Sequence, residues 1–353
     1  MSEILPIQAS LKSPDRSADF KVDITTYTPK FFLTNDDIAA WGVKTESGKP
    51  LTADSILSKT GIERRYVASE QESPYFMARE ATNQLLEGNK DKIDAVIVST
   101  SYPTGEDLSK KLQDEFGFSG FHLNIHAACS GVGLGLAYLK RHEEKFLGKR
   151  ILFVTTEKYS SHLQDLREEG GSARDPSLAQ TLFSDGATAC TFRYGEDLKV
   201  LSVKNHNFPA EAASSIRMPI NRGLIAGLSL ALPIPYPESG KFEQDGGKVY
   251  KLVRKNVPNL IRQSVDRAKL TASDIKMVFI HQGSGHVAKG IRDELPEFNG
   301  RILMDYQDGN NSSGSTPKGI MRASKEGGIK KGDIINLTVF GAGLCAISTT
   351  LQL

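Results

Sequence analysis

Cysteine is scarce in this chain: three in 353 residues, at positions 129, 190 and 345. So widely spaced, they form neither a disulfide framework nor a run of metal ligands, and a reducing cytoplasm is the expected setting. No excess of either charge is present. The net charge of +2 provides no bulk field for nucleic acid, though a local basic patch for an acidic partner stays open. No apolar run approaches a membrane span, and Met1 to Phe20 is polar, of mixed charge and without the apolar segment of a secretory signal. Tryptophan occurs once, at Trp41. What is present is the composition of a globular protein, 39% hydrophobic and 24% charged, with enough chain for one large domain or two ordinary ones.

Residues 1 to 20 read as an extension ahead of a first strand at Lys21 to Tyr27. Helical spacing follows from Thr34, from Leu51 to Lys59, from Phe76 to Leu86 and from Leu108 to Phe116. Short apolar runs at Ala95 to Val98, Phe121 to Ile125, Ile151 to Val154, Ala187 to Phe192 and Leu198 to Val203 have strand length. Residues 205 to 240, with several Pro and Gly, read as a surface excursion. After it the order of elements repeats. The helix Val249 to Ala268 leads into the strand Met277 to Ile280, as the helix before Ala95 led into that strand. The offsets between corresponding points are 281 − 99 = 182, 310 − 129 = 181 and 332 − 148 = 184, the mark of a duplicated unit. Alternating strands and helices indicate parallel-rich sheets covered on both faces. Two such halves, 21–204 and 205–353, would turn their strand ends toward one shared site.

Three stretches meet there. In Asn124-Ile125-His126-Ala127-Ala128-Cys129-Ser130-Gly131 a cysteine stands where a helix begins, so the helix end is expected to favour a thiolate. The small residues around and after it are read as room for a substrate; the other reading is a small buried hydrophobe among Ala and Gly. His281 opens the loop His281-Gln282-Gly283-Ser284-Gly285-His286 directly after a strand, either facing Cys129 across the shared site or as a polar strand cap. Asn310 lies in Asp308-Gly309-Asn310-Asn311-Ser312-Ser313-Gly314-Ser315-Thr316-Pro317, a composition that usually makes a turn. Phe340-Gly341-Ala342-Gly343-Leu344-Cys345 puts small residues where a backbone approaches something closely or where strands pack tightly.

Together with Thr60-Gly61-Ile62 and Arg64, Phe183-Ser184-Asp185-Gly186-Ala187 and the segment from Phe242 to Tyr250, these stretches resemble, in order, the β-ketoacyl-acyl-carrier-protein synthase III family of thiolase-fold condensing enzymes. The resemblance covers about residues 21 to 353. It implies an α/β fold of two pseudo-repeated halves in a five-layered αβαβα sandwich, a homodimer, and a Cys-His-Asn triad at Cys129, His281 and Asn310. It implies no metal and no cofactor. Cys129 would take the acyl group from a thioester on coenzyme A or an acyl carrier protein. The backbone N–H groups of Cys129 and Ala342 would form an oxyanion hole, and His281 and Asn310 would hold the enolate of a malonyl-type thioester as CO2 leaves.

Departures from the family pattern concern substrates. Ser55 stands where housekeeping members carry a tryptophan for the coenzyme A adenine, and Trp41 is too far upstream to replace it. The arginine expected shortly before Phe183 is missing, and in the His loop Ser284 and His286 replace an Asn and a carrier-contacting Arg. His286, Lys289 and Arg292 would meet an acidic carrier protein, unless that helix face is merely solvated. His126 either shapes the acyl pocket or is a satisfied core histidine. A specialised member is expected, performing decarboxylative Claisen condensation. The alternatives are acyl transfer to a hydroxyl or amine without a carbon–carbon bond, and a non-catalytic acyl-binding subunit.

Overall fold

The computed structural model describes residues 22–42, 48–87, 92–160, 181–209, 215–217, 229–231, 243–342 and 344–353. The expected extension 1–20 and most of the 205–240 excursion lie outside them. Two sheets organise the rest. The first has the order β1-β7-β6-β4-β5-β10, from β1 Asp23–Tyr27, β4 Ala95–Thr100, β5 Phe121–His126, β6 Arg150–Glu157, β7 Gly186–Arg193 and β10 Ser229–Ala231. The second has the order β13-β12-β14-β15-β8, from β8 Lys199–Asn207, β12 Ile275–Ile280, β13 Ile302–Leu303, β14 Ile334–Gly341 and β15 Cys345–Gln352. Counted from its first strand, each sheet runs first, fifth, fourth, second, third, with β10 an addition to the first. β6 and β14 begin 334 − 150 = 184 residues apart, so the duplication expected from the offsets is present in the strand order itself.

The boundary expected at 204/205 is displaced. β8 starts at Lys199 and belongs to the second sheet, whereas β10, well past residue 205, pairs with β5 of the first. Strand pairing decides membership here, and the apolar run from Leu198 to Val203 carries no mark of which sheet it joins.

Helices α3 Pro74–Leu86 and α4 Leu108–Glu115 cover the outer face of the first sheet; α7 Gly246–Arg267 and α8 Gly285–Arg292 cover that of the second. Between the sheets lie α5 Gly131–Arg141, which the short α6 Glu143–Phe146 follows, and α9 Ser315–Lys325. The five layers are the ones the sequence implies. β4 shows why its run is continuously apolar: Ala95 and Ile97 enter the core between the sheets, and Val96 and Val98 the core under α3 and α4. A hairpin of β2 Phe31–Thr34 and β3 Arg64–Val67 carries α1 Asn35–Ala39 and α2 Ala53–Thr60 between its strands. β9 Ile216–Arg217 pairs with β11 Glu243–Gln244.

The glycines of α5 have a packing role. A Cβ on Gly133 would come within 2.5 Å of Val339 in the second sheet, and one on Gly135 within 2.3 Å of Phe153 in the first. The small residues after Cys129, read from sequence as room for a substrate, instead let a helix pass between two sheets.

Candidate active site

β5 carries the chain through His126 and Ala127 into a 3-10 turn, Ala128–Ser130, and α5 starts at Gly131. Ala128 takes a φ of +45°, rare for a residue with a side chain, and the turn closes when the Ser130 N–H donates to the Ala127 carbonyl at 2.9 Å. Cys129 thus sits just ahead of the helix, 8% exposed. Ser312 Oγ donates to its Sγ at 3.5 Å. The expected lowering of the thiol by the helix end is not what the site produces. Burial pushes Cys129 up to about 12, and nearby Glu157 adds to this. A helix terminus offers at most about 2 kcal/mol, and complete burial outweighs it.

The second half supplies the facing groups. His281 follows β12 directly, its N–H donating to the Thr338 carbonyl at 2.8 Å and its ring lying edge-on to Phe340 at 5.2 Å. Burial holds the imidazole down to about 3, so it is neutral. Nδ1 is buried without a protein partner among the described residues, and no acceptor draws the proton away from Nε2. Asn310 is fixed by its backbone: its N–H donates to the Leu182 carbonyl at 2.7 Å and its carbonyl accepts from Ser184 N–H at 3.0 Å. Its Oδ1 accepts from the Ser312 N–H at 2.8 Å and from Ser315 Oγ at 3.5 Å. With Oδ1 so occupied, the donors of the side-chain amide are left for the cavity that Asn310 lines with Cys129. The run around Asn310 is the turn its composition suggests, and part of the site as well.

Cys129, His281 and Asn310 line one cavity, with Ala342 beside them and Phe183, Leu182, Val249, Val287, Tyr159 and Phe340 supplying apolar walls. Gly341, the last residue of β14, lies against the nucleophile's backbone: a Cβ there would stand 2.9 Å from Cys129 N and 3.2 Å from Cys129 Cβ. Gly341→Ala is therefore expected to push the strand end that carries Ala342 away from Cys129. Acylation should slow by about 100-fold, the usual cost of displacing a positioned group by about 1 Å. Intact-mass kinetics of acyl-cysteine formation, beside an unchanged melting transition, would check it.

Residues 265–353 match the family described as 3-oxoacyl-(acyl-carrier-protein) synthase III, C terminal. The β-ketoacyl-acyl-carrier-protein synthase III of Campylobacter jejuni is 26% identical, over 98% of this chain and 98% of its own. That of Lactobacillus helveticus is 28% identical, over 92% and 96%. The solved structure of the Thermus thermophilus synthase III superposes with a TM-score of 0.75 at 25% identity, covering 94% of this chain and 98% of that one. Over nearly its whole length the chain is similar to β-ketoacyl-acyl-carrier-protein synthases III. The chain is an enzyme whose curated relatives are β-ketoacyl-acyl-carrier-protein synthases III.

Against the family pattern, the departures have visible structural meanings. Trp41 packs with Leu33, Ile38, Leu51 and Ile56 in the small core under α1 and α2. Ser55 forms the capping box of α2 with Thr52. His126 is buried with Nδ1 2.9 Å from Thr100 Oγ1 and does not line the cavity, which favours the core-histidine reading. His286 and Lys289 are exposed on α8, His286 stacked on Tyr250 at 4.3 Å, and Arg292 pairs with Asp293 at 2.8 Å. The Thr-Gly-Ile turn serves as a buttress: Glu63 and Arg64 donate backbone N–H groups to the Gln307 carbonyl, and Arg64 pairs with Asp308 at 2.8 Å, just before Asn310.

Sequence reasoning overlooked a polar cluster behind the nucleophile. Ser101 Oγ lies 2.6 Å from the Tyr159 hydroxyl and 2.7 Å from Ser312 Oγ, and the Ser101 N–H donates to Glu157 Oε2 at 3.0 Å. The available signal was a lone carboxylate ending the apolar run of β6.

Proposed function

We propose that this enzyme forms an acyl-cysteine at Cys129 and condenses it decarboxylatively with a malonyl-type thioester, giving a β-ketoacyl product. The observation that carries this reading is the convergence, on one cavity, of a buried thiol, an imidazole kept neutral and an amide whose carbonyl is already engaged. Sulfur attack on a thioester divides a hard acyl transfer into two easier steps. The tetrahedral oxyanion of each step would be held by the backbone N–H groups of Cys129 and Ala342. A neutral His281 and the Asn310 amide would then donate to the thioester oxygen of the extender as CO2 departs. Neutral donors stabilise an enolate without supplying the strong acid that would quench its carbon.

The donor thioester is carried on an acyl carrier protein or coenzyme A. Exposed His286 and Lys289 on α8, with Arg292 next to them, form the face for an acidic carrier. Ser55 in place of an adenine-stacking tryptophan supports a specialised member, and the resemblance carries with it a homodimer. Intact mass after exposure to a panel of acyl-coenzyme A and acyl-carrier thioesters tests the first step. The wild type should gain the acyl mass and Cys129→Ala should not. Addition of a malonyl thioester should then release CO2 with a β-keto product. An acyl-enzyme that yields no CO2 would make this an acyl transferase to oxygen or nitrogen, and a folded protein that never gains mass would leave only an acyl-binding role.

A further inference from the structure

Glu157 ends β6, is 1% exposed and has no role in the chemistry above. Its Oε2 accepts the Ser101 backbone N–H at 3.0 Å, and Oε1 is buried without a close partner among the described residues. Ser312 Oγ lies 2.7 Å from the hydroxyl of the same Ser101 whose N–H the carboxyl accepts. Ser312 Oγ in turn contacts Cys129 Sγ at 3.5 Å. Ser312, at an unusual φ of +48°, donates its N–H to Asn310 Oδ1 at 2.8 Å, and its hydroxyl meets both the sulfur and Ser101 Oγ. The acyl-enzyme route needs a destination for the thiol proton. His281 is a poor one, since burial keeps it neutral down to about 3.

We propose that Glu157 takes up the Cys129 thiol proton through the Ser312 hydroxyl as the sulfur reacts, holds it while the acyl-enzyme exists, and returns it when that thioester is cleaved. This rests on the reading of Cys129 as the nucleophile. In the first step the S–H bond of Cys129 breaks as its S–C bond to the acyl carbon forms. The proton passes to Ser312 Oγ while the Ser312 hydroxyl proton passes to the Glu157 carboxylate, and the departing thiolate takes a proton from water. In the second step the enolate carbon attacks, the Cys129 S–C bond breaks, and the sulfur regains a proton along the same path. Glu157 touches no reacting atom and is a positioning residue for the proton. The ionisable groups around it are Cys129 from the turn after β5, Tyr159 just beyond β6 and Asp185 ahead of β7. Burial, with Asp185 adding, lifts Glu157 to about 8. Only its ionised form accepts a proton, so thiol reactivity should climb with pH and level off there.

The test uses iodoacetamide, which needs no substrate pocket, so it stands even if the condensing reaction is wrong. Alkylation of Cys129 is followed by intact mass from about pH 6 to about pH 10, with Cys129→Ala to subtract buried Cys190 and Cys345. The wild-type rate should rise about tenfold per pH unit and flatten near pH 8. Glu157→Gln, which keeps the shape and the bond to Ser101, should react about 100-fold more slowly at the plateau and keep rising without flattening. Ser312→Ala, which leaves the carboxyl in place, should behave the same way and carries the test should the Gln variant fail to fold. An unchanged profile, or a uniform drop that keeps the wild-type shape, would overturn the proposal.

Discussion

His281→Ala should leave Cys129 able to take an acyl group while CO2 release and carbon–carbon bond formation fall by about 10³-fold. The imidazole is neutral and serves as a donor to charge that develops only in the second half-reaction, and loss of one such donor costs about 10² to 10³ in rate. Asn310→Ala should be at least as severe. Its Oδ1 also anchors the Ser312 N–H at 2.8 Å, so the turn that positions Ser312 against the sulfur loosens with it. Acyl-enzyme by intact mass and labelled CO2 from a malonyl thioester separate the two steps. If both steps slow equally in His281→Ala, the imidazole acts on the thiol, and its assignment to the enolate is wrong.

Gly133→Val should destabilise the protein by about 3 kcal/mol or more, enough to prevent folding of a domain of ordinary stability. The first atom of any side chain at Gly133 would lie 2.5 Å from Val339 Cγ2 and 3.0 Å from Ile347 Cβ. Both neighbours sit in strands of the second sheet, and α5 has the first sheet on its other side, so it cannot retreat. Gly246→Ala, at the start of α7 with nothing within 4 Å of the new Cβ, should change the denaturant midpoint little or raise it slightly. Equal midpoints for the two variants would show that α5 has slack between the sheets.

Much of this architecture is legible in the chain because its strands are buried on both faces. Ala95 to Val98, Ile151 to Val154 and Met277 to Ile280 are continuous apolar runs, and each lies in a strand with a neighbour on both sides. Cys129, His281 and Asn310 were marked by small or turn-forming neighbours at repeat-related positions, and all three line one cavity. What escaped depends on tertiary distance. Ser101, Ser312 and the pair Glu157 and Tyr159 come from three separate stretches, and nothing local announces that their side chains meet. The direction of the Cys129 shift was misread for the same reason: a helix end is visible in sequence, but the depth at which it is buried is not. The glycines of α5 carried two meanings, and only the neighbouring Val339 and Phe153 decide for packing.

The two turns with unusual φ occupy matching places. Ala128 at +45° precedes Cys129 and α5, Ser312 at +48° precedes Ser313 and α9, and the two are 312 − 128 = 184 residues apart. The position matching the nucleophile in the second half is therefore Ser313, not the Asn310 that the sequence offset of 181 paired with it, and the Ser313 hydroxyl turns to Ser99 Oγ at 3.2 Å. An ancestor built from two identical chains would have presented the same elbow twice across a twofold axis, each able to bear a nucleophile. Fusion into one chain let the copies diverge. One elbow kept a sulfur, and the other became the hydroxyl-bearing support that faces it, so asymmetry in the chemistry grew from symmetry in the backbone.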